Sequence, residues 1–355
     1  MEFGIAVTTA ADSWKVVKRA EELGFSHAWF YDTQMLCADC FVAMGAAAVQ
    51  TSKIRLGTGV LIPSNRIAPV TANGFASLNQ LAPGRIDFGV GTGFTGRRTM
   101  GLGAMKLADM EEYIRVVMAL LAGETVDFTV EGKRQKITFL NPELKLINLA
   151  DPVRLHLSAY GPRAQELTAK LGAGWINFVG DVAGGNRALA SMQESWRKVG
   201  RADGSMSAVA FALGCVLQPG EAADGERAMA QAGPRAAVLL HRAADEALSG
   251  LPNTSTIPES VADPVARYVE LARGFEPADA RYLMNHRGHL MAVKDIERPY
   301  VTADLIRQTT LTAEEDEIVR RIRALRDAGY TQFTIQLTPG QEAAIEDWAR
   351  VVAKV

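Results

Sequence analysis

The chain of 355 residues sets 38 Lys and Arg against 40 Asp and Glu, for a formal charge of −2, and 48% of its residues are hydrophobic. That balance provides for a large core and excludes a disordered chain, and with no basic tract it argues against nucleic acid and anionic membrane surfaces as partners. No apolar run approaches the ~20 residues of a membrane span, the first residues run into a strand rather than a signal peptide, and an odd cysteine count of three fits a reducing cytoplasm.

In chain order, Phe3–Thr8 reads as an apolar strand and Ala11–Leu23 as an amphipathic helix ended by Gly24. His27–Asp32 is the second strand, Phe41–Gln50 an Ala-rich helix, Ile54–Leu61 the third strand and Ala68–Leu81 a helix closed by Pro83-Gly84. Arg85–Gly93 (RIDFGVGTG) follows as a fourth strand with period-2 alternation and three glycines near its end. Those glycines suit either a bulge at a barrel corner or a backbone that a flat ligand approaches closely. After the helix Leu107–Leu121, the stretch from Glu124 to Asn141 changes pattern and predicts a hairpin inserted before strand five. Val153–Ser158, Trp175–Val179 and Ala208–Leu217 are strands five to seven, with helices over Arg163–Leu171 and Ala188–Val199 between them. A long, mostly helical insertion spans 221–310, and Glu314–Asp327, Gln332–Leu337 and Gln341–Lys354 close the chain as helix, strand eight and helix. Eight strand-then-helix repeats without a linker predict one (β/α)8 TIM barrel over 1–355, with a doubly wound sheet as the competing arrangement.

In such a barrel the site forms at the C-terminal ends of the strands. Those ends carry Asp32-Thr33, Gly59-Val60, Thr92-Gly93, Ser158 and Gly180, several of them small or hydroxyl-bearing, and this leaves room for a broad planar ligand. Ser158, Gly161 and Arg163 (SAYGPRA) join a strand to a helix start, a place suited to a phosphate. The plainer reading makes Pro162 a first-turn proline with Ser158 as its cap. Cys37 and Cys40 form a C-x-x-C that, with no second pair and no clustered His, reads as packing at a helix start.

The segments LGTGVLIP, PGRIDFGVGTG and SAYGPRA, in this order and spacing, resemble the bacterial luciferase-like family. The family groups FMN-dependent monooxygenases with oxidoreductases that use the deazaflavin coenzyme F420. The resemblance implies a non-proline cis peptide at Gly59-Val60 beneath the cofactor ring, Thr92 and Gly93 beside the ring or its chain, and Ser158, Gly161 and Arg163 near the phosphate. It also implies a homodimer. Many members follow the strand-two acid with His, where this chain has Asp32-Thr33. A hydroxyl does not act as a base near neutral pH as an imidazole does.

Proton handling is therefore expected from the insertion, folded as a lid, where YLMNHRGHL places His286 and His289 at i, i+3 spacing. The plainer reading gives these histidines helix-capping or backbone contacts. With no third ligand nearby they make no zinc site, and no metal is expected. His27, His156 and His241 read as structural, with His156 facing the barrel interior. The sequence thus predicts a cytoplasmic, FMN-dependent monooxygenase using molecular oxygen on a small organic substrate, with Asp32, Thr33, His286 and His289 as catalytic candidates and a separate flavin reductase as a possible partner. Hydride transfer with F420 is the alternative, and a non-redox barrel enzyme a second one.

Overall fold

A computed structural model describes residues 1–251 and 257–355; residues 252–256 of the expected insertion lie outside the described residues. Eight parallel strands close into a barrel: β1 (Glu2–Val7), β2 (His27–Phe30), β3 (Arg55–Thr58), β4 (Ile86–Val90), β5 (Arg154–Ser158), β6 (Gly174–Phe178), β7 (Ala208–Ala212) and β8 (Gln332–Leu337). Each pairs with its successor in the chain, and β8 returns to β1 with Glu2 opposite Gln332. The doubly wound alternative is excluded.

Alternation along the strands fixes what fills the barrel. On β2, Ala28 and Phe30 face the helical shell, while Trp29 joins Ala6, Ile176, Val209 and Phe211 inside. The Trp29 indole N–H donates to Gln332 at 3.0 Å, so the one polar atom of this large interior ring is satisfied. Its bulk explains two glycines of β3 and the loop after it: a Cβ on Gly57 would come within 2.7 Å of the indole, and one on Gly59 within 2.8 Å of the Trp29 Cβ. The outer core packs Phe75, Phe88, Trp175 and Trp348 beneath the helices.

The expected hairpin is present, Val126–Val130 pairing antiparallel with Lys133–Ile137. Its two-residue turn, Glu131-Gly132, has positive φ at both positions, the conformation that suits the twist of a hairpin. The helix expected over Ala188–Val199 begins earlier and runs Val182–Lys198, because the Asp181 carboxylate caps it by accepting from the Gly184 N–H at 2.7 Å.

After β7 the chain leaves the barrel. Helices Glu226–Gln231, Gly233–Ser249, Ala262–Arg273, Arg281–His286 and Ala303–Thr309 build a second core around Leu240, Tyr268 and Leu305. The segment departs and returns side by side, since Val216–Leu217 pairs in parallel with Ala313–Glu314. Among the described residues no helix is long and apolar enough to cross a membrane.

Candidate active site

A cavity opens at the C-terminal ends of the strands, between them and the insertion. Asp32, Thr33, Gly59, Val60, Thr92, Gly93, Ser158 and His289 all line it, so the fold brings together eight of the residues singled out from the sequence. The Gly59-Val60 peptide is cis. The glycines of the β4 strand and loop divide by role. A Cβ on Gly89 would lie 2.1 Å from the Thr58 carbonyl oxygen, which makes that glycine a requirement of strand packing. Gly91 and Gly93 line the cavity, and Gly93 takes φ +80° as it turns the chain into the short helix Phe94–Arg98.

Four expectations change. Asp32 is buried and its carboxylate is fully engaged: it pairs with Arg66 at 2.8 Å and accepts from the Ile62 N–H at 3.0 Å and Asn65 at 3.2 Å. It therefore holds the loop after β3 in place. Gly180 does not line the cavity; it sits against the Thr309 carbonyl, where a Cβ would be 2.9 Å from the oxygen. His286 and His289 do not share a helical face. The helix ends at His286, Gly288 takes φ +73°, and His289 follows in a turn whose N–H donates to the His286 carbonyl. Only His289 reaches the cavity, its Nε2 lying 3.4 Å from the Thr95 hydroxyl. Finally, a third imidazole is present: His241, 45 residues before His286 in the chain, brings Nδ1 to 2.7 Å from His289 Nδ1. His241 is thus part of a cluster rather than a lone structural residue.

Gly161 and Arg163 do not line the cavity: both are exposed at the start of the helix Pro162–Leu171, Gly161 as its N-cap residue facing open space. Thr33 accepts the N–H groups of Leu36 and Cys37 through its carbonyl. Burial pushes the Cys37 thiol up to about 11 and raises Cys40 as well, so neither cysteine is a thiolate near neutral pH.

Sequence reasoning missed the cavity's roof. Arg235 and Arg242 stand two turns apart on the helix Gly233–Ser249, with Val238 between them, and all three line the cavity. The Arg235 guanidinium lies over Phe178, at 5.6 Å from the ring centroid, and Arg242 lies over Phe94 at 4.5 Å. Burial lowers the pKa of Arg235 and pushes that of Arg242 down to about 10, which leaves both cations at neutral pH. The signal was available as two arginines seven residues apart in an Ala- and Leu-rich segment, PRAAVLLHRAADE. Tyr31, Tyr160 and Phe178 add aromatic walls, and Leu36, Ile62, Leu290 and Met291 apolar ones.

Over 141 residues the chain is 38% identical to an F420-dependent glucose-6-phosphate dehydrogenase of Beutenbergia cavernae, covering 38% of this chain and 40% of that protein. Over 179 residues it is 31% identical to a 5,10-methylenetetrahydromethanopterin reductase of Methanolobus tindarius, covering 49% and 53%. The matched stretches therefore span about half or less of each relative's length. A solved structure of a coenzyme F420-dependent tetrahydromethanopterin reductase from Methanopyrus kandleri shares the fold with a TM-score of 0.70 at 20% identity, over 99% of this chain and 98% of that one. The model of the luciferase-like monooxygenase family matches residues 4–332, and the chain is a luciferase-like oxidoreductase belonging to that family.

Proposed function

We propose that this chain is an F420-dependent oxidoreductase that moves a hydride between the coenzyme and a small anionic substrate. The observation that carries this reading is the shape of the cavity: a glycine-lined floor at the strand ends beneath a roof bearing two arginines. A flat tricyclic ring suits a floor from which side chains are missing, and a negative group suits the roof. The named relatives support F420, the alternative in the sequence reading, over the FMN- and oxygen-dependent monooxygenase expected first, since one is described as F420-dependent and the other as a methylenetetrahydromethanopterin reductase. The non-redox reading falls with the family assignment.

The residues present fit the coenzyme. Gly59, Val60, Thr92 and Gly93 would hold the ring, while Ser158, Gly161, Arg163 and the first turn of the helix Pro162–Leu171 would hold the phosphate. When bound, F420 supplies a carbon centre that accepts or gives a hydride. The chain's part is orientation and exclusion of water. Arg235 and Arg242 bind the substrate's anionic group, Val238, Leu290 and Met291 seal the apolar side, and His289 bonds the oxygen on the carbon that is oxidised or reduced.

The test is titration of the purified protein with F420 and, separately, with FMN, followed by anaerobic turnover with phosphate- and carboxylate-bearing alcohols. The reading requires F420 to bind, and to be reduced without oxygen. FMN that co-purifies, with oxygen consumed during turnover, overturns it. Within this scheme Arg163→Ala weakens coenzyme binding by about 1.5–3 kcal/mol, the loss of a charge-assisted hydrogen bond. His289→Asn lowers turnover by roughly 10²–10³-fold at unchanged coenzyme affinity.

A further inference from the structure

Three of the protein's five histidines meet in the insertion, each from a separate piece of chain: His241 from the helix Gly233–Ser249, His286 from the end of Arg281–His286, and His289 from the turn beyond. All three are buried, and one ring nitrogen of each lies within 4.8 Å of the other two. The rings are arranged in one sense. Nδ1 of His289 lies 2.7 Å from Nδ1 of His241 and 3.3 Å from Nδ1 of His286. The opposite nitrogens point away, each to its own acceptor. His241 Nε2 is 2.6 Å from Glu297, His286 Nε2 is 3.0 Å from Asp245, and His289 Nε2 is 3.4 Å from the Thr95 hydroxyl.

Each of the two carboxylates gathers further donors. Glu297 also takes Lys294 and the Tyr268 hydroxyl, and Asp245 also takes Arg98 and the Asn285 amide. The tautomers that match these acceptors carry the proton of His241 and of His286 on Nε2, which turns the Nδ1 lone pair of each toward His289. His289 has one proton to offer, enough for one of them. A dry cluster is left with an unsatisfied buried acceptor, which is costly.

We propose that His241, His286 and His289 are the protein ligands of a zinc ion bound through their Nδ1 atoms. In a tetrahedral site with metal–nitrogen bonds of about 2.0–2.1 Å, ligand nitrogens stand about 3.3 Å apart. The His286–His289 separation already has this value, and the His241–His289 pair needs to open by about half an ångström. Neutral imidazoles turned to a common point, with carboxylates on the far nitrogens of two of them, form the outer-shell arrangement that orients metal-bound histidines. Zinc takes three such ligands and completes its coordination with water. The proposal accounts for the conformation of YLMNHRGHL: Gly288 at positive φ breaks the helix and turns His289 toward the other two. It also fixes His289 as an Nε2–H donor toward the cavity, a consequence that rests on the proposed function, whereas the metal site does not.

The experiment uses the full chain without an affinity tag, stripped with a chelator and titrated with zinc against a chromophoric competitor in the absence of coenzyme. The expected result is one zinc per chain at submicromolar affinity, and cobalt in its place giving the intense visible bands of a tetrahedral ion. Glu297→Gln keeps the shape of the second shell and weakens zinc by about 10–100-fold. His241→Asn and His286→Asn abolish stoichiometric binding. A control, His156→Asn at the other end of the barrel, leaves the stoichiometry unchanged. Folded wild-type protein that takes up no zinc at micromolar free metal overturns the proposal, as does unchanged affinity in Glu297→Gln together with a cobalt spectrum lacking tetrahedral bands. Because these readouts need no turnover, failure of the metal site and failure of the F420 reading are distinguishable.

Discussion

His27 and His156 near the N-terminal ends of the strands, and His241, His286 and His289 above the C-terminal ends, account for every imidazole in the chain, and the two sets are wired differently. Below, both rings stand beside Asp87, at 3.8 Å and 3.9 Å, too far for a hydrogen bond. Arg55 claims that carboxylate instead, with a fork of contacts at 2.9 Å and 2.7 Å. His156 Nδ1 is left without a partner, and Trp29 packs edge-on to His156 and parallel to His27. Above, both nitrogens of every ring lie within 3.4 Å of a polar neighbour. Strands with period-2 alternation stack their interior side chains in layers and offer little choice of direction. Segments of helix and turn from distant parts of the chain can aim three rings at one point. The lower set is packing that happens to be titratable, and the upper set has the directional order of a site.

Removing the acid beside each set sharpens this contrast most. Asp87→Ala leaves the Arg55 charge uncompensated inside the barrel and is expected to cost about 3–5 kcal/mol of global stability, read by urea unfolding. Asp245→Ala strips Arg98 and His286 in the same way, but its effect should be confined to the insertion. Amide exchange should then speed up over 226–249 and 262–309 while β1 and β8 keep their protection. Uniform exchange across the chain in Asp245→Ala would break the distinction between the two regions.

Acid weakens both sets in the same direction and adds a second, lower window to the upper one. Burial pushes His27 down to about 4, so the folded state prefers the neutral ring. Its contribution is complete above the ordinary His value of about 6.5 and is lost as pH falls from there toward 4, because the unfolded chain takes the proton first; the size is up to about 3 kcal/mol. His156, His241 and His289 shift in the same direction. Glu297, held at about 2, contributes above its ordinary value near 4.5 and gives that up only below it. Urea midpoints should therefore drop between pH 7 and 5 through the histidines alone. His27→Phe should flatten part of that drop, and bound zinc should remove the part belonging to the insertion. A drop of equal size in His27→Phe counts against the assignment.

The smallest effect tests the packing itself. A Cβ on Gly174 would come 2.2 Å from His156 Nδ1, so Gly174→Ala should displace that ring at a cost of about 1–3 kcal/mol, with zinc binding unchanged. A melting curve that does not move would show that the lower set tolerates displacement as the upper set should not.

Much of the barrel was legible in the sequence because its signals are local. The period-2 run RIDFGV, the glycine-rich ends of β3 and β4, and the hairpin between Glu124 and Asn141 are each readable within a short stretch. The floor of the cavity was legible for the same reason. Its roof was not. Arg235, Arg242 and His241 acquire meaning only when the helix Gly233–Ser249 lies over strand ends far away in the chain, and no local period announces that. Asp32 misled through position: the end of β2 is where a catalytic acid would stand, but Arg66 and the Ile62 N–H consume its oxygens. Gly288 misled through spacing, since i, i+3 places two histidines on one helical face only while the helix continues.

The parallel contact between Val216–Leu217 and Ala313–Glu314 brings the two ends of the insertion together before its helices begin. Whatever lies between them is therefore a closed excursion from the barrel's point of view, with the entropy of closing the loop rising only slowly with its length. Residues 218–312 can then be treated as a cassette. A different roof, with other charges above the same glycine floor, could be grafted at these two dipeptides while the strand register and the ring-binding surface stay as they are. Selection for a new substrate would act on one contiguous stretch of gene, leaving the rest of the coding sequence under the constraints of the barrel alone.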